Sequence, residues 1–66
     1  MSKIQEQRKR AGLSQAGLAE KGGLPLRTLQ DYEQGRRDIN GAAVVTVKAL
    51  ADALGCRIED LIEPTE

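Results

Sequence analysis

A glycine follows almost every stretch of helical periodicity in this chain, and that punctuation confines it to a bundle of short helices. Gly12, Gly22-Gly23, Gly35 and Gly55 each close a segment of roughly 8 to 14 residues in which apolar positions recur at helical spacing. A residue that tolerates positive φ at such a place is what ends a helix. Period-2 alternation is not sustained anywhere, and β-branched residues cluster only at Val44 to Val47. The expected fold is therefore all-α, a compact five-helix domain occupying residues 1–66 as one unit, with its core at about residues 3–63.

The first helix is expected over Lys3 to Ala11, with Ile4 and Ala11 on one face. Ser14 is positioned to cap a second helix, Gln15 to Lys21, because its hydroxyl can take one of the N–H groups left unpaired at a helix start. Leu18 and Ala19 point inward, and Gly17 sits in the middle at a cost of about 1 kcal/mol against Ala. A third helix runs from about Pro25 to Gln34, and proline suits a first turn, where its missing N–H would go unpaired anyway. Asn40 is expected to cap a fourth helix, about Gly41 to Leu54, on which Ala43, Val44, Val47, Leu50, Ala51 and Leu54 form an apolar stripe. A last helix is expected over Ile58 to Glu63, with Glu59 and Asp60 in its first turn, where carboxylates suit the helix dipole.

Composition removes several kinds of chemistry. The chain has 66 residues, one Cys, no His, one Tyr, and neither Phe nor Trp. A structural zinc site takes about four Cys or His ligands, and Cys56 has no second cysteine with which to form a disulfide. Acid–base catalysis through histidine is excluded. No nucleophile–base pair, phosphate-binding loop or metal-ligand set is recognisable, so neither an enzyme nor a cofactor is expected. No window approaches the roughly 18 apolar residues of a membrane helix. The opening Met1 to Glu6 turns polar at once, unlike a secretory leader. The expected location is the cytoplasm, away from any membrane.

The informative stretch is Gln15 to Gly35. A short helix carries a small residue, Ala19, where another helix must come close, and Gly23 follows four residues later in the turn. Leu18, Leu24, Leu29 and Tyr32 then clamp two helices together. This is the spacing of two helices crossing steeply about a three- to four-residue turn.

At this point the chain resembles the xenobiotic-response-element type of helix-turn-helix protein, the family of lambda-type phage repressors and Cro. The resemblance rests on Arg8, Gly12-Leu13-Ser14-Gln15, Leu18-Ala19-Glu20-Lys21, Gly23, Thr28-Leu29, Tyr32-Glu33-Gln34-Gly35-Arg36-Arg37 and Leu50-Ala51-Asp52-Ala53-Leu54-Gly55. It implies a double-stranded DNA partner, with the third helix in the major groove and residues near its N-terminus at base edges. On that helix Arg27 is the candidate guanine reader, Gln30 is suited to adenine, and Leu26 to a thymine methyl. Thr28 is implied at the DNA backbone. Ser14 and Gln15 would meet phosphates with a helix N-terminus behind them, and Gln34, Arg36 and Arg37 would hold the backbone on the other side. Asp31 completes the outward face. It could orient Arg27 or accept from a cytosine amine.

Each of these residues also has a plainer reading. Arg27 and Asp31 are four apart and could pair with each other on an exposed face. Arg8 and Glu33 are implied by the resemblance to form a salt bridge between the first and third helices. Lys9-Arg10 reads as a solvated face and Tyr32 as core with its hydroxyl near the surface. Cys56 reads as a buried, inert thiol, and Val45 and Ile62 as exposed apolar residues. The sequence also departs from the family pattern. Pro25 replaces a Ser or Thr cap, the Gly22-Gly23 pair is expected to loosen the turn, and the connection after Gly35 is long.

The formal net charge is zero, which by itself argues against a nucleic-acid partner. Its distribution answers the objection. Residues 1–37 hold eight basic residues against four acidic ones, a net +4, whereas residues 38–66 hold two against six, a net −4. The resulting expectation is a sequence-specific transcriptional regulator, a repressor acting as a homodimer on a palindromic operator. The alternative is a protein-interaction module, such as the antitoxin of a toxin–antitoxin pair, in which the acidic half meets the partner.

Overall fold

The computed structural model of the chain describes residues 2–62. Among these are four α-helices, α1 (Lys3–Arg10), α2 (Gln15–Gly22), α3 (Leu26–Glu33) and α4 (Val44–Leu54), with 3-10 turns at Ile39–Gly41 and Ile58–Asp60, and no strand. Four helices replace the expected five. The expected final helix is a single 3-10 turn in which the Arg57 N–H donates to Asp60 Oδ2 at 3.0 Å. Leu61, fully buried, drops into the core directly after it, so the chain anchors itself instead of continuing a helix. Glu63, the expected end of that helix, lies outside the described residues.

The helices start and stop for local reasons. Ser2 accepts the Gln5 N–H at 3.1 Å, and Ser14 accepts the Gly17 N–H at 3.0 Å, so α1 and α2 begin on hydroxyl caps. At the end of α2, Gly23 lies at φ +71°. That conformation lets the Leu24 N–H reach back to the Ala19 carbonyl at 3.0 Å, a closure that satisfies a stranded carbonyl. The same 6→1 bond closes α1 (Leu13 to Arg8), α3 (Arg36 to Asp31) and α4 (Cys56 to Ala51). After α1, α2 and α4 the residue turned back by this bond packs on the core. After α3 it is Arg36, whose side chain stays 63% exposed.

Helices α2 and α3 shift by one residue at their ends, α2 closing at Gly22 and α3 running Leu26–Glu33, and two other boundaries move residues of the expected core. Helix α1 ends at Arg10, which leaves Ala11 on the exposed turn rather than beside Ile4 in the core. The cap expected at Asn40 belongs instead to Asp38, whose Oδ1 accepts the Asn40 N–H at 2.9 Å and closes the 3-10 turn. This turn sinks Ile39 into the core. The chain then runs extended through Ala42 and Ala43, so α4 begins only at Val44 without a side-chain cap. Ala43 and Val44 are accordingly exposed, and the buried stripe of α4 is Val47, Leu50 and Ala51. The long connection after Gly35 is therefore anchored at its middle.

The core joins Ile4, Leu18, Ala19, Leu29, Ile39, Val47, Leu50, Ala51 and Leu61. Helix α2 lies against both α3 and α4. At its last residue the approach is close enough that a Cβ on Gly22 would stand 2.8 Å from Leu24 Cδ2 and 3.0 Å from Leu50 Cδ2. Gly22 thus admits the Leu50 side chain of α4 and the Leu24 side chain of the turn. Cys56 is half-buried rather than buried. Burial first, and the Asp60 carboxylate second, push its thiol above the ordinary cysteine range.

Candidate nucleic-acid interface

Helices α2 and α3 are joined by three residues, Gly23-Leu24-Pro25, the short turn of a helix-turn-helix. Pro25 occupies the N-cap of α3 and offers no side-chain hydrogen bond. The inner face of α3 is locked by Leu29, which is fully buried, and by Glu33, at 7% exposure the one buried charged residue among those described. Its outer face carries Leu26 (42% exposed), Arg27 and Gln34, with Thr28, Gln30 and Asp31 half-buried beside them. Ser14 is exposed at the start of α2 and Gln15 half-buried next to it, while Arg36 and Arg37 are exposed just past the end of α3.

The expected pairing of Arg8 with Glu33 is present. Arg8 Nε donates to Glu33 Oε2 at 2.7 Å and Nη2 to Oε1 at 3.2 Å, with side-chain exposures of 12% and 2%. The remaining Arg8 nitrogen donates to the Leu13 carbonyl at 3.0 Å. One guanidinium thereby ties α1 to α3 and to the segment leading into α2. A two-pronged, partly dry ion pair of this kind is strongly oriented.

Asp31 does not pair with Arg27. Its carboxylate faces Arg36 Nη1 at 3.5 Å and Arg37 Nε at 3.7 Å, and its carbonyl accepts the backbone N–H groups of both arginines at 2.8 and 3.2 Å. The i,i+4 reading of Arg27 and Asp31 is thus set aside, because the closure of α3 brings the two later arginines back over Asp31. Two consequences follow. The one acid on the outer face of α3 is offset by two cations, and Arg27 has no hydrogen bond or ion pair among the described residues.

The sequence reading missed a second connection. Gln15 Nε2 donates to Glu33 Oε1 at 3.2 Å, and Gln30 Nε2 donates to Gln15 Oε1 at 3.3 Å. Gln15 was expected at a phosphate; in the folded chain its carboxamide is held between α2 and α3. No sequence spacing announces this contact, since the two glutamines stand 15 residues apart on different helices.

This chain matches the helix-turn-helix family over residues 4–61, and it belongs to that family, in the xenobiotic-response-element, lambda-repressor-like branch that its motifs indicated. It is accordingly a DNA-binding helix-turn-helix domain of a regulator. No curated protein and no solved structure shows significant similarity to it. Among the described residues no helix is long and apolar enough to cross a membrane.

Proposed function

We propose that the chain reads specific double-stranded DNA through α3 and represses transcription as a homodimer on a palindromic operator. The observation that carries this reading is the outer face of α3. Its inner side is fixed by Leu29 and the Glu33 ion pair, while Arg27 stands exposed and unengaged among the described residues. A guanidinium free of intramolecular partners can bond bidentately to guanine O6 and N7. Leu26, close by, suits a thymine methyl. Ser14 at one end, with its hydroxyl proton still available beyond the cap, and Gln34, Arg36 and Arg37 at the other suit phosphates. Thr28 suits the backbone as well. Asp31 acts chiefly as the anchor that aims Arg36 and Arg37.

The dimer contact is proposed at an exposed apolar patch outside α3. Val44 (72% exposed), Val45 (77%) and Ile62 (37%) are solvent-facing hydrophobics, and Val44 and Ile62 line a groove together with Ile39, Val47 and Ile58. Reading a palindromic operator as a dimer requires the contact to set two α3 helices about one DNA turn, roughly 34 Å, apart. The same groove also keeps open the antitoxin reading, in which a partner protein of different sequence sits there.

Selection of bound duplexes from a randomised library at moderate salt tests both parts. Two enriched inverted half-sites about one turn apart support the dimeric reader; enrichment of nothing, with no binding at low salt, refutes it. Arg27→Ala is expected to relax preference at one base pair per half-site by about 1–3 kcal/mol. A loss that is uniform over all sequences would make Arg27 a phosphate contact instead.

A further inference from the structure

We infer that Asp31 is a specificity-determining residue: by holding Arg36 and Arg37 against the end of α3, it makes their phosphate contacts conditional on α3 being seated in the major groove. The inference rests on the DNA-reading function proposed above and specifies how that site separates its operator from other duplexes.

Phosphates line every sequence alike, so two unrestrained guanidiniums add as much affinity for random DNA as for an operator. Arg36 and Arg37 are not unrestrained. Gly35, at φ +80°, turns the chain back at the end of α3. The Asp31 carbonyl then accepts the N–H groups of both arginines, at 2.8 and 3.2 Å. The Asp31 carboxylate takes the two side chains, Oδ1 facing Arg36 Nη1 at 3.5 Å and Oδ2 facing Arg37 Nε at 3.7 Å. One residue thus tethers each arginine twice, at its backbone and at its guanidinium.

The tether leaves both arginines usable. Each meets the carboxylate through a single nitrogen, whereas a guanidinium carries five N–H groups in a planar fork. Their side chains stay 63% and 58% exposed, against 16% for Asp31. The acid is the covered member of the trio, and the cations keep N–H groups for an outside acceptor. Asp31 stands one turn beyond Arg27 on the same helix, so the tethered guanidiniums keep a fixed place relative to the outer face of α3. With α3 seated in the groove they meet phosphates without leaving Asp31. In any other pose they must leave it to reach a phosphate, and its charge opposes that exchange.

The test measures affinity for the selected duplex and for a random duplex across a salt series, with thermal melts to establish folding. Asp31→Asn keeps the side-chain shape and removes the charge. It is expected to raise affinity for the random duplex about 10-fold, the worth of roughly one more released counterion at about 0.1 M salt, and to leave the selected duplex within about 3-fold. The salt slope on the random duplex should steepen by about one. In a chain that keeps Asp31, the double change Arg36→Ala with Arg37→Ala is expected to weaken the selected duplex far more than the random one. Added to Asp31→Asn, the same two changes should abolish the gain on the random duplex.

An Asp31→Asn variant that strengthens both duplexes equally overturns the inference and makes Asp31 a repelling charge only. No gain on the random duplex overturns it as well, and so does an equal loss on both duplexes from the arginine changes. A preference altered at one base pair would make Asp31 a base reader and overturn it too. An unaltered chain that selects no sequence overturns the DNA reading itself, and this inference with it.

Discussion

Around α3, an ion pair, Arg8 with Glu33, is buried beside Leu29 and extends through Gln15 to Gln30. Around α4 the corresponding depth is filled by Val47, Leu50 and Ala51 against Leu18, Ile39 and Leu61, with no polar side chain among them. The contrast teaches how so small a chain divides its tasks. Hydrocarbon packing is non-directional and tolerates sliding, which suffices for a support. Hydrogen bonds to a buried charge are directional, and they hold the side chains of one helix in orientations that hydrocarbon contacts would leave free. The charge distribution follows the same division, basic through residue 37 and acidic beyond it.

Breaking the polar side should have the largest effect. Arg8→Met strands the Glu33 carboxylate, whose side chain is only 2% exposed, and is expected to cost about 3–5 kcal/mol in urea unfolding. The double change Arg8→Met with Glu33→Leu should recover most of that stability yet not the duplex preferences of the unaltered chain. If the double variant reads DNA as before, the ion pair is structural only, and the contrast between the two sides dissolves.

Next in size, Leu50→Ala removes a fully buried side chain from the α2–α4 seam and is expected to cost about 3 kcal/mol. The sharper reading is in the folded fraction at low temperature, where base preferences should be unchanged because the hydrocarbon side carries none of the readout. A shift in preference would show that support and reader are coupled. The smallest effect is at the junction. Ser14→Ala deletes the cap on Gly17, is expected to lower stability by about 1 kcal/mol, and should weaken binding to all duplexes alike. A change confined to one base position would instead make Ser14 a reader.

Much of this was legible along the chain. The helix ends at Gly12, Gly23, Gly35 and Gly55 and the Ser14 cap depend on residues within five of one another, and the structure places them as the sequence indicates. The buried Leu18, Ala19, Leu29 and Leu50 follow from periodicity. Where reading failed, a nearby residue did the job better. Asp38 outbid Asn40 because capping the 3-10 turn brings Ile39 into the core. The final helix gave way to Leu61, since burying that anchor is worth more than another exposed turn. The close approach at Gly22 was not legible because its neighbour Leu50 lies 28 positions away on another helix.

At the interface the division is sharper still. The residue types and their place on the outer face of α3, from Leu26 to Gln34, are properties of helical geometry and so of the sequence itself. Family membership is likewise written there, because it resides in residue identities at fixed spacing. Partner choice is not. Arg27 and Asp31 stand one turn apart and could have paired, but the closure of α3 returned Arg36 and Arg37 over Asp31 and left Arg27 open. That Gln15 also meets Glu33 and Gln30 was decided only by the packing of α2 on α3. Local bonds depend on separations of a few residues, which a sequence displays directly. The competition among several donors for one acceptor is decided by distances across helices, and those exist only once the chain has folded.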